Sequence, residues 1–380
     1  MLSFAQSKAS VMLDALRGTA SLLVCSDHCR HIFFVEYHEV VAYRVLLLVP
    51  YLLTAAGHQA VIIFFVLSGF LVGGSVIRSY EQNRWSWKRY LTHRFVRLWL
   101  VLLPALLLDE LWDRIALILR SMNSSNYSGT IIDHLLPANV VASALTLPIF
   151  FGNAAFLQRI LVPTIGTDGA LWSLSNEFWY YILFPFALFS LHRNYRPMVR
   201  VSFAIGFLLL ARFVGKDILL LFPIWLAGTL LTLLPRLRLN HTIRVISTVA
   251  YMGSFLFCVA FSHSHAWLSD YLLTIITTAY LWILLSAVQR SSGGRAEHLA
   301  RGMAEFSYTL YLVHMPFLYL LAAFFVHDRL WIPTISGFFM ALGLLLIVIL
   351  YAWLVASATE FHLHSVRRWV ESKLNRLPSF

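Results

Sequence analysis

Long apolar runs separated by short polar segments recur along the whole chain. About ten of them reach the roughly 17 to 25 residues that a membrane-spanning helix needs. They lie near 11–30, 58–77, 95–117, 171–191, 199–215, 218–234, 245–262, 270–288, 306–326 and 334–356. The pattern predicts an all-α polytopic membrane bundle. Two further runs are set apart. Residues 40–56 carry Arg44 and Pro50, and residues 138–151 are short and carry Pro148. Either could be re-entrant, interfacial or a true span.

The first run departs from the rest. Leu13 to His28 opens with Asp14 and Arg17 and closes with Asp27 and His28. Ionisable groups inside a spanning helix are costly and mark pathways or sites. On a helix rising about 1.5 Å per residue, Arg17 and His28 are about 16 Å apart. One helix thus carries a cation towards one face and an imidazole towards the other.

Composition supports the membrane reading. The 380 residues are 59% hydrophobic and only 12% charged, against about 25% charged in a soluble domain. The net charge of +11 does not point to nucleic acid, because the basic residues sit between apolar runs rather than on a soluble face. Cys25, Cys29 and Cys258 lie in or beside apolar runs and imply no disulfide framework. The N-terminus lacks the pattern of a cleavable signal.

The basic residues orient the bundle by the positive-inside rule. With ten spans and a cytoplasmic N-terminus, the inner segments hold Arg78, Arg84, Lys88, Arg89, Arg94 and Arg97, then Arg193, Arg196 and Arg200. They also hold Arg236, Arg238, Arg244, Arg290, Arg295 and Arg301. The tail adds Arg367, Arg368, Lys373 and Arg376. Counting 138–151 as one extra span would put the Arg193–Arg200 cluster outside, so it is rejected as a span. The division expected is a transmembrane domain over 1–358 and a short basic cytoplasmic tail over 359–380. Arg17 then faces the cytoplasm and His28 the outer side.

Four groups could carry chemistry. His28 could accept a proton from a hydroxyl or attack an acyl donor itself; the competing reading is an interfacial histidine bonded to water. Glu177, inside the apolar run Leu171–Tyr181, must pair with a cation or stay protonated. It could orient a catalytic histidine or form a structural ion pair with Arg17. Arg94 and Arg97, spaced i, i+3, share a helix face and suit phosphate recognition, though basic residues at an inner helix end are also ordinary topology determinants. Ser307, Tyr308 and His314 precede Pro316 and could bind substrate or join helices. Cys25, His28 and Cys29 are an incomplete ligand set, so no metal is expected. Gly69, Gly73 and Gly74, after Phe64–Ser68, read as close helix packing.

Together these stretches resemble membrane-bound acyltransferase family 3, the bacterial O-acyltransferases of glycans and related acceptors. Leu13-Asp14-Ala15-Leu16-Arg17-Gly18 is similar to its opening L-D-G-L-R-G, and Arg17 to His28 fits R-x10-H. Phe64 to Leu71 fits F-F-V-L-S-G-F-L, and Arg94–Arg97 fits R-x-x-R. Leu171 to Glu177 with Phe184-Pro185, and Ser307 to Pro316, fit two more.

The resemblance implies transfer of an acyl group, usually acetyl, from cytoplasmic acyl-CoA to a hydroxyl of a glycan or lipid-linked sugar at the outer face of the bacterial inner membrane. His28 becomes the leading catalytic residue, supported by Glu177 or Asp27. Arg94, Arg97 and Arg17 become partners of the CoA phosphates, and Ser173, Ser307, Tyr308 and His314 line the substrate site. Relatives often have a second carboxylate after Glu177, where this chain has Phe178. Others carry an extracytoplasmic domain, so this chain is expected to act alone, as a homodimer, or with a separate partner. A transporter of a glycolipid or organic acid is the rival reading, since intramembrane Arg17, Glu177 and His314 would also suit a substrate path.

Overall fold

A computed structural model describes residues 8–123, 137–237, 239–286, 293–326 and 329–374. Arg238, Arg290 and Arg376, and positions 124–136 of the long loop before Trp172, lie outside the described residues. The described chain is helical, with isolated bridges Phe34–Trp331 and Gln158–Val162 in place of a sheet.

The helices are α1 (Lys8–Phe33), α2 (Arg44–Thr54), α3 (Gly57–Ser68), α4 (Gly74–Glu81), α5 (Trp87–Asn123), α6 (Ala138–Ser143), α7 (Leu147–Ala154) and α8 (Trp172–Leu191). They continue as α9 (Pro197–Val214), α10 (Lys216–Leu230), α11 (His241–Ser262), α12 (Ala266–Ser286), α13 (Arg295–Glu305), α14 (Ser307–Phe325), α15 (Ile335–Ala358) and α16 (Leu363–Leu374).

Among the described residues, seven stretches are long and apolar enough to cross a membrane. They are Lys8–Phe33, Arg44–Glu81, Pro197–Val214, Thr242–Ser262, Ala266–Ser286, Ser307–Phe325 and Ile335–Leu374. Each overlaps one of the ten expected runs. The other three runs also form helices, each with a physical reason for its weaker signal. Helix α5 carries Arg94, Arg97, Asp109, Glu110, Asp113 and Arg114. Helix α8 begins with Ser173, Ser175, Asn176 and Glu177. Helix α10 has 15 residues.

The two runs set apart are both helical and both short. Helix α2 has 11 residues, about 16 Å at about 1.5 Å per residue, well under the bilayer core of about 30 Å. It leads through a turn into α3. Helices α6 and α7 have 6 and 8 residues, so neither crosses alone.

Helix α1 packs against α3, α13 and α14, and α14 also lies along α5. Helices α9 and α11 stand at the periphery, with few buried residues. Between α3 and α4 the chain makes a π-helical turn, Gly69–Gly73, a feature common at functional sites. Here glycine is required by contact. A Cβ on Gly69 would lie 1.8 Å from the Trp225 carbonyl oxygen, and one on Gly228 would lie 1.9 Å from that of Val66. The backbones of α3 and α10 therefore touch, and the Thr229 hydroxyl donates to the Gly69 carbonyl at 3.0 Å.

The segment before α8 is tied down by buried carboxyls of α5. Asp113 accepts from the Thr167 amide and hydroxyl, both at 2.7 Å. Asp168 accepts from the Ala170 amide at 3.2 Å and so caps the turn entering α8. Its carboxyl also meets that of Asp109, and both residues are fully buried. Two acceptors can bond only if a proton lies between them. Burial, reinforced by Asp113, holds the Asp168 carboxyl well above the usual range.

The tail folds back onto the bundle. Helix α16 packs on α5, with Glu371 bonded to His93 and Lys88 Nζ donating to the Leu374 carbonyl at 2.8 Å.

Candidate functional site

Helices α1, α3, α5, α8 and α14 enclose a cavity of about 170 Å³. Its lining includes Arg17, Ser68, Arg94, Arg97, Ser173, Glu177, Tyr181, Ser307, Tyr308 and Tyr311. Seven residues expected from sequence thus meet in one place: Arg17, Arg94, Arg97, Ser173, Glu177, Ser307 and Tyr308.

Helical spacing explains the convergence. Arg94 and Arg97 leave α5 three residues apart, so both point into the same space. Val61, Phe65, Ser68 and Val72 line it from α3 and the π turn, at steps of four, three and four. Glu177 and Tyr181 share one face of α8 at i, i+4. Glu177 Oε1 accepts from Ser68 Oγ at 2.8 Å and from the Tyr181 hydroxyl. Trp225 Nε1 donates to the same Ser68 oxygen at 3.1 Å.

The arginines keep donors to spare. Arg17 Nη2 donates to the Ala304 carbonyl at 3.1 Å and to Ser307 Oγ at 3.4 Å, while Asp14 stands 4.0 Å away. Arg94 lies over the rings of Tyr90 and Tyr181, at 5.5 and 5.7 Å, and its buried Nε has no hydrogen-bond partner among the described residues. Arg97 lies in the field of Tyr181, Glu360, Glu177 and Tyr308. A cavity with three guanidiniums and a facing carboxylate can hold an anion and keep its charge close to neutral.

His28 and His314 stand apart from this lining and pair with each other. His28 Nδ1 lies 2.7 Å from His314 Nε2, and the rings lie edge to edge, with planes 4° from parallel and centroids 5.0 Å apart. His314 is fully buried. Its Nδ1 donates to the Leu310 and Tyr311 carbonyls at 3.0 and 2.9 Å. Its Nε2 must then accept, which assigns the proton of His28 to Nδ1 and leaves a lone pair on His28 Nε2. A line of contacts runs from the cavity to this pair. Ser173 Oγ is 2.6 Å from the Tyr311 hydroxyl, and the Tyr311 ring is 6.1 Å from that of His314.

Glu177 and Asp27 take other partners than His28. Glu177 is held by Ser68 and Tyr181, as above. Asp27 lies 3.8 Å from Arg30 and 3.2 Å from His31, against the backbone of Gly57. The immediate neighbour of His28 is therefore His314.

Several lining residues were not singled out by sequence. Tyr181 lies inside the quoted Leu171–Tyr181 stretch, one turn beyond Glu177, and that spacing was the available signal. Ser68 ends the Phe64–Ser68 stretch, which with Gly69 reads in sequence as close helix packing. Glu360 stands outside the lining, in the field of Arg97, and has no sequence signal. It lies beyond α15, where its carboxylate accepts from the Thr309 amide and hydroxyl at 3.0 and 2.8 Å and caps the start of α14.

Comparison with known proteins identifies the family. The acyltransferase domain model of acyltransferase family 3 matches residues 11–356. An uncharacterized protein of Haemophilus influenzae is 28% identical over 219 residues, which is 49% of this chain and 82% of that protein. No solved structure matches the chain. The family match takes in every helix from α1 to α15 and all the cavity-lining residues named above, and on that basis the chain belongs to acyltransferase family 3 as a multi-pass membrane protein.

Proposed function

We propose that this protein is an integral membrane O-acyltransferase. It takes an acyl group, acetyl in the simplest case, from cytoplasmic acyl-CoA. It passes the group to a hydroxyl of a glycan or lipid-linked sugar at the outer face of a bacterial inner membrane. The bundle has ten spans with both termini cytoplasmic, residues 1–358 forming the transmembrane domain and 359–380 a short basic tail. The observation that carries this reading is the meeting of Arg17, Arg94 and Arg97 in one cavity with Glu177, Ser68 and Tyr308.

In this reading Arg94 and Arg97 hold the CoA phosphates at the inner mouth. The spare Nε–H of Arg94 is a donor waiting for an anion, and Arg17 extends the cationic path inward. The acyl thioester then points along the cavity towards Ser173 and Tyr311. His28 Nε2, with its lone pair, takes the proton of the acceptor hydroxyl. The oxygen attacks the thioester carbonyl, the CoA thiolate departs, and the proton follows it. His314 fixes the tautomer of His28, as an orienting group does in other histidine-based sites. Ser173, Ser307 and Tyr308 position substrate, and no metal takes part.

The test is purified protein given acetyl-CoA and a cell-envelope saccharide extract. Release of free CoA with acetylation of the extract is expected, and His28→Ala should lower both by about a hundredfold or more. Substrate flux across vesicles without CoA release would instead favour a transporter. Mass-spectrometric detection of acetylated His28 without acceptor would replace direct transfer by an acyl-histidine relay.

A further inference from the structure

A second histidine site lies at the opposite end of the cavity from Arg94. His58 begins the same face of α3 that lines the cavity, three residues before Val61 and seven before Phe65. Its Nε2 is 3.0 Å from both carboxylate oxygens of Asp270 on α12, whose side chain is 6% exposed. A carboxylate accepts, so Nε2 carries the proton and Nδ1 keeps a lone pair. The His58 side chain is 46% exposed, which makes that lone pair available to a ligand.

The ring is held in place by Trp172. His58 stacks on the indole with centroids 6.1 Å apart and planes 18° from parallel. Arg159 reaches the same indole, its guanidinium carbon 5.4 Å from the ring centroid. The Arg159 backbone has φ +67°, a left-handed conformation unfavourable for a side-chain-bearing residue and typical of places where a group must be presented in one direction. Its amide donates to the Val162 carbonyl at 2.9 Å, closing the turn. Trp172 precedes Ser173, and Gly57, next to His58, touches Asp27, next to His28. The second site therefore adjoins both the cavity wall and the catalytic helix.

We infer that His58, Trp172 and Arg159 form the acceptor station, which binds oxygens of a saccharide at two points about the Trp172 ring. One hydroxyl donates to His58 Nδ1, and another oxygen accepts from Arg159, whose Nη2 also lies 3.6 Å from Asp217. Asp270 acts as a positioning residue that fixes the imidazole. With His58 and Arg159 both laid against the indole, Trp172 spaces the two hydrogen-bonding groups. The site is then matched to a polyol, whose oxygens alternate as donor and acceptor. This assignment rests on the acyl-transfer reading for its place in the reaction, while the binding itself does not.

Two measurements separate the questions. The first is saturation-transfer NMR of a panel of methyl pyranosides with detergent-purified protein. Wild type should bind at least one member, and His58→Ala and Arg159→Ala should lose it by tenfold or more. The second uses labelled acetyl-CoA and the envelope saccharide extract. In both variants and in Asp270→Asn, the KM for acceptor should rise at least tenfold while the KM for acetyl-CoA stays within twofold. A wild type that binds no pyranoside, or variants that bind as well as wild type, would overturn the station. So would equal changes in both KM values together with a lowered melting temperature, which would mark these residues as structural. Pyranoside binding lost in the variants, with no acetyl-CoA consumed by wild type, would leave the station standing and remove the acyl-transfer reading alone.

Discussion

His28 donates from Nδ1 to His314 Nε2 across 2.7 Å because His314 spends its own Nδ1 proton on the carbonyls of its helix. One imidazole thereby sets the tautomer of the other. His314→Ala should slow acyl transfer by roughly tenfold to a hundredfold, matching the loss of one buried hydrogen bond worth about 1–3 kcal/mol. His28→Ala should cost more, about 10²- to 10⁴-fold for a lost general base. Steady-state kcat with acetyl-CoA checks both, and a His314 variant with wild-type kcat would refute the orienting role.

Arg97 should act mainly on donor binding. Arg97→Ala should raise the KM for acetyl-CoA about tenfold to a hundredfold, the equivalent of a charge-assisted hydrogen bond of about 1.5–3 kcal/mol. Arg97→Lys should recover little, because an ammonium cannot offer a planar fork to phosphate. The comparison needs acceptor held at saturation. An unchanged KM in Arg97→Ala would make this arginine a topology determinant only.

Asp168 gives the fold a pH dependence. Its buried carboxyl is raised well above the usual range, so above about pH 4, where a free aspartate titrates, the folded state holds a proton that the unfolded state has lost. Stability is then full below that point and falls as pH rises through the folded-state value. The melting temperature in detergent should fall as the pH rises above about pH 4, and Asp168→Asn should flatten part of that slope. A profile identical to wild type would exclude Asp168 as its source.

Gly69→Ala should destabilise the bundle by more than the roughly 1–3 kcal/mol of ordinary overpacking. The obstacle at 1.8 Å is the Trp225 carbonyl, and backbone cannot rotate away as a side chain can. Gly253→Ala, where a Cβ meets nothing within 4 Å, is the control. Thermal denaturation of the two purified variants tests the contrast.

Sequence made the helices legible because membrane spans announce themselves by length and apolarity alone. It made the cavity legible because ionisable residues in such spans are few, so Arg17, Arg94, Arg97 and Glu177 stood out one by one. Pairings were another matter. The bond from His28 to His314 joins positions 286 apart, and helix rotation decides such a contact. Periodicity in an almost wholly apolar helix does not reveal that rotation. Glu177 reads in sequence as a group that could orient a catalytic histidine, yet the i+4 contact with Tyr181 and the reach of Ser68 hold it elsewhere. His58 opens the 58–77 run with no sequence spacing that ties it to Trp172 or to Asp270, 212 positions away.

Arg17 bonds to Ala304 and Ser307, partners 287 and 290 positions away. During synthesis the first helix enters the membrane long before those partners exist. Arg17 and His28 must wait in the bilayer until nearly the whole chain has followed. Contacts so distant in sequence form slowly, so closure of the cavity belongs to the last stage of folding. The site then doubles as an assembly checkpoint: a chain truncated before α14 can insert but cannot complete it. An acyl-CoA analogue that bridges the arginines should protect late-folding variants from degradation, as any ligand of the folded state does.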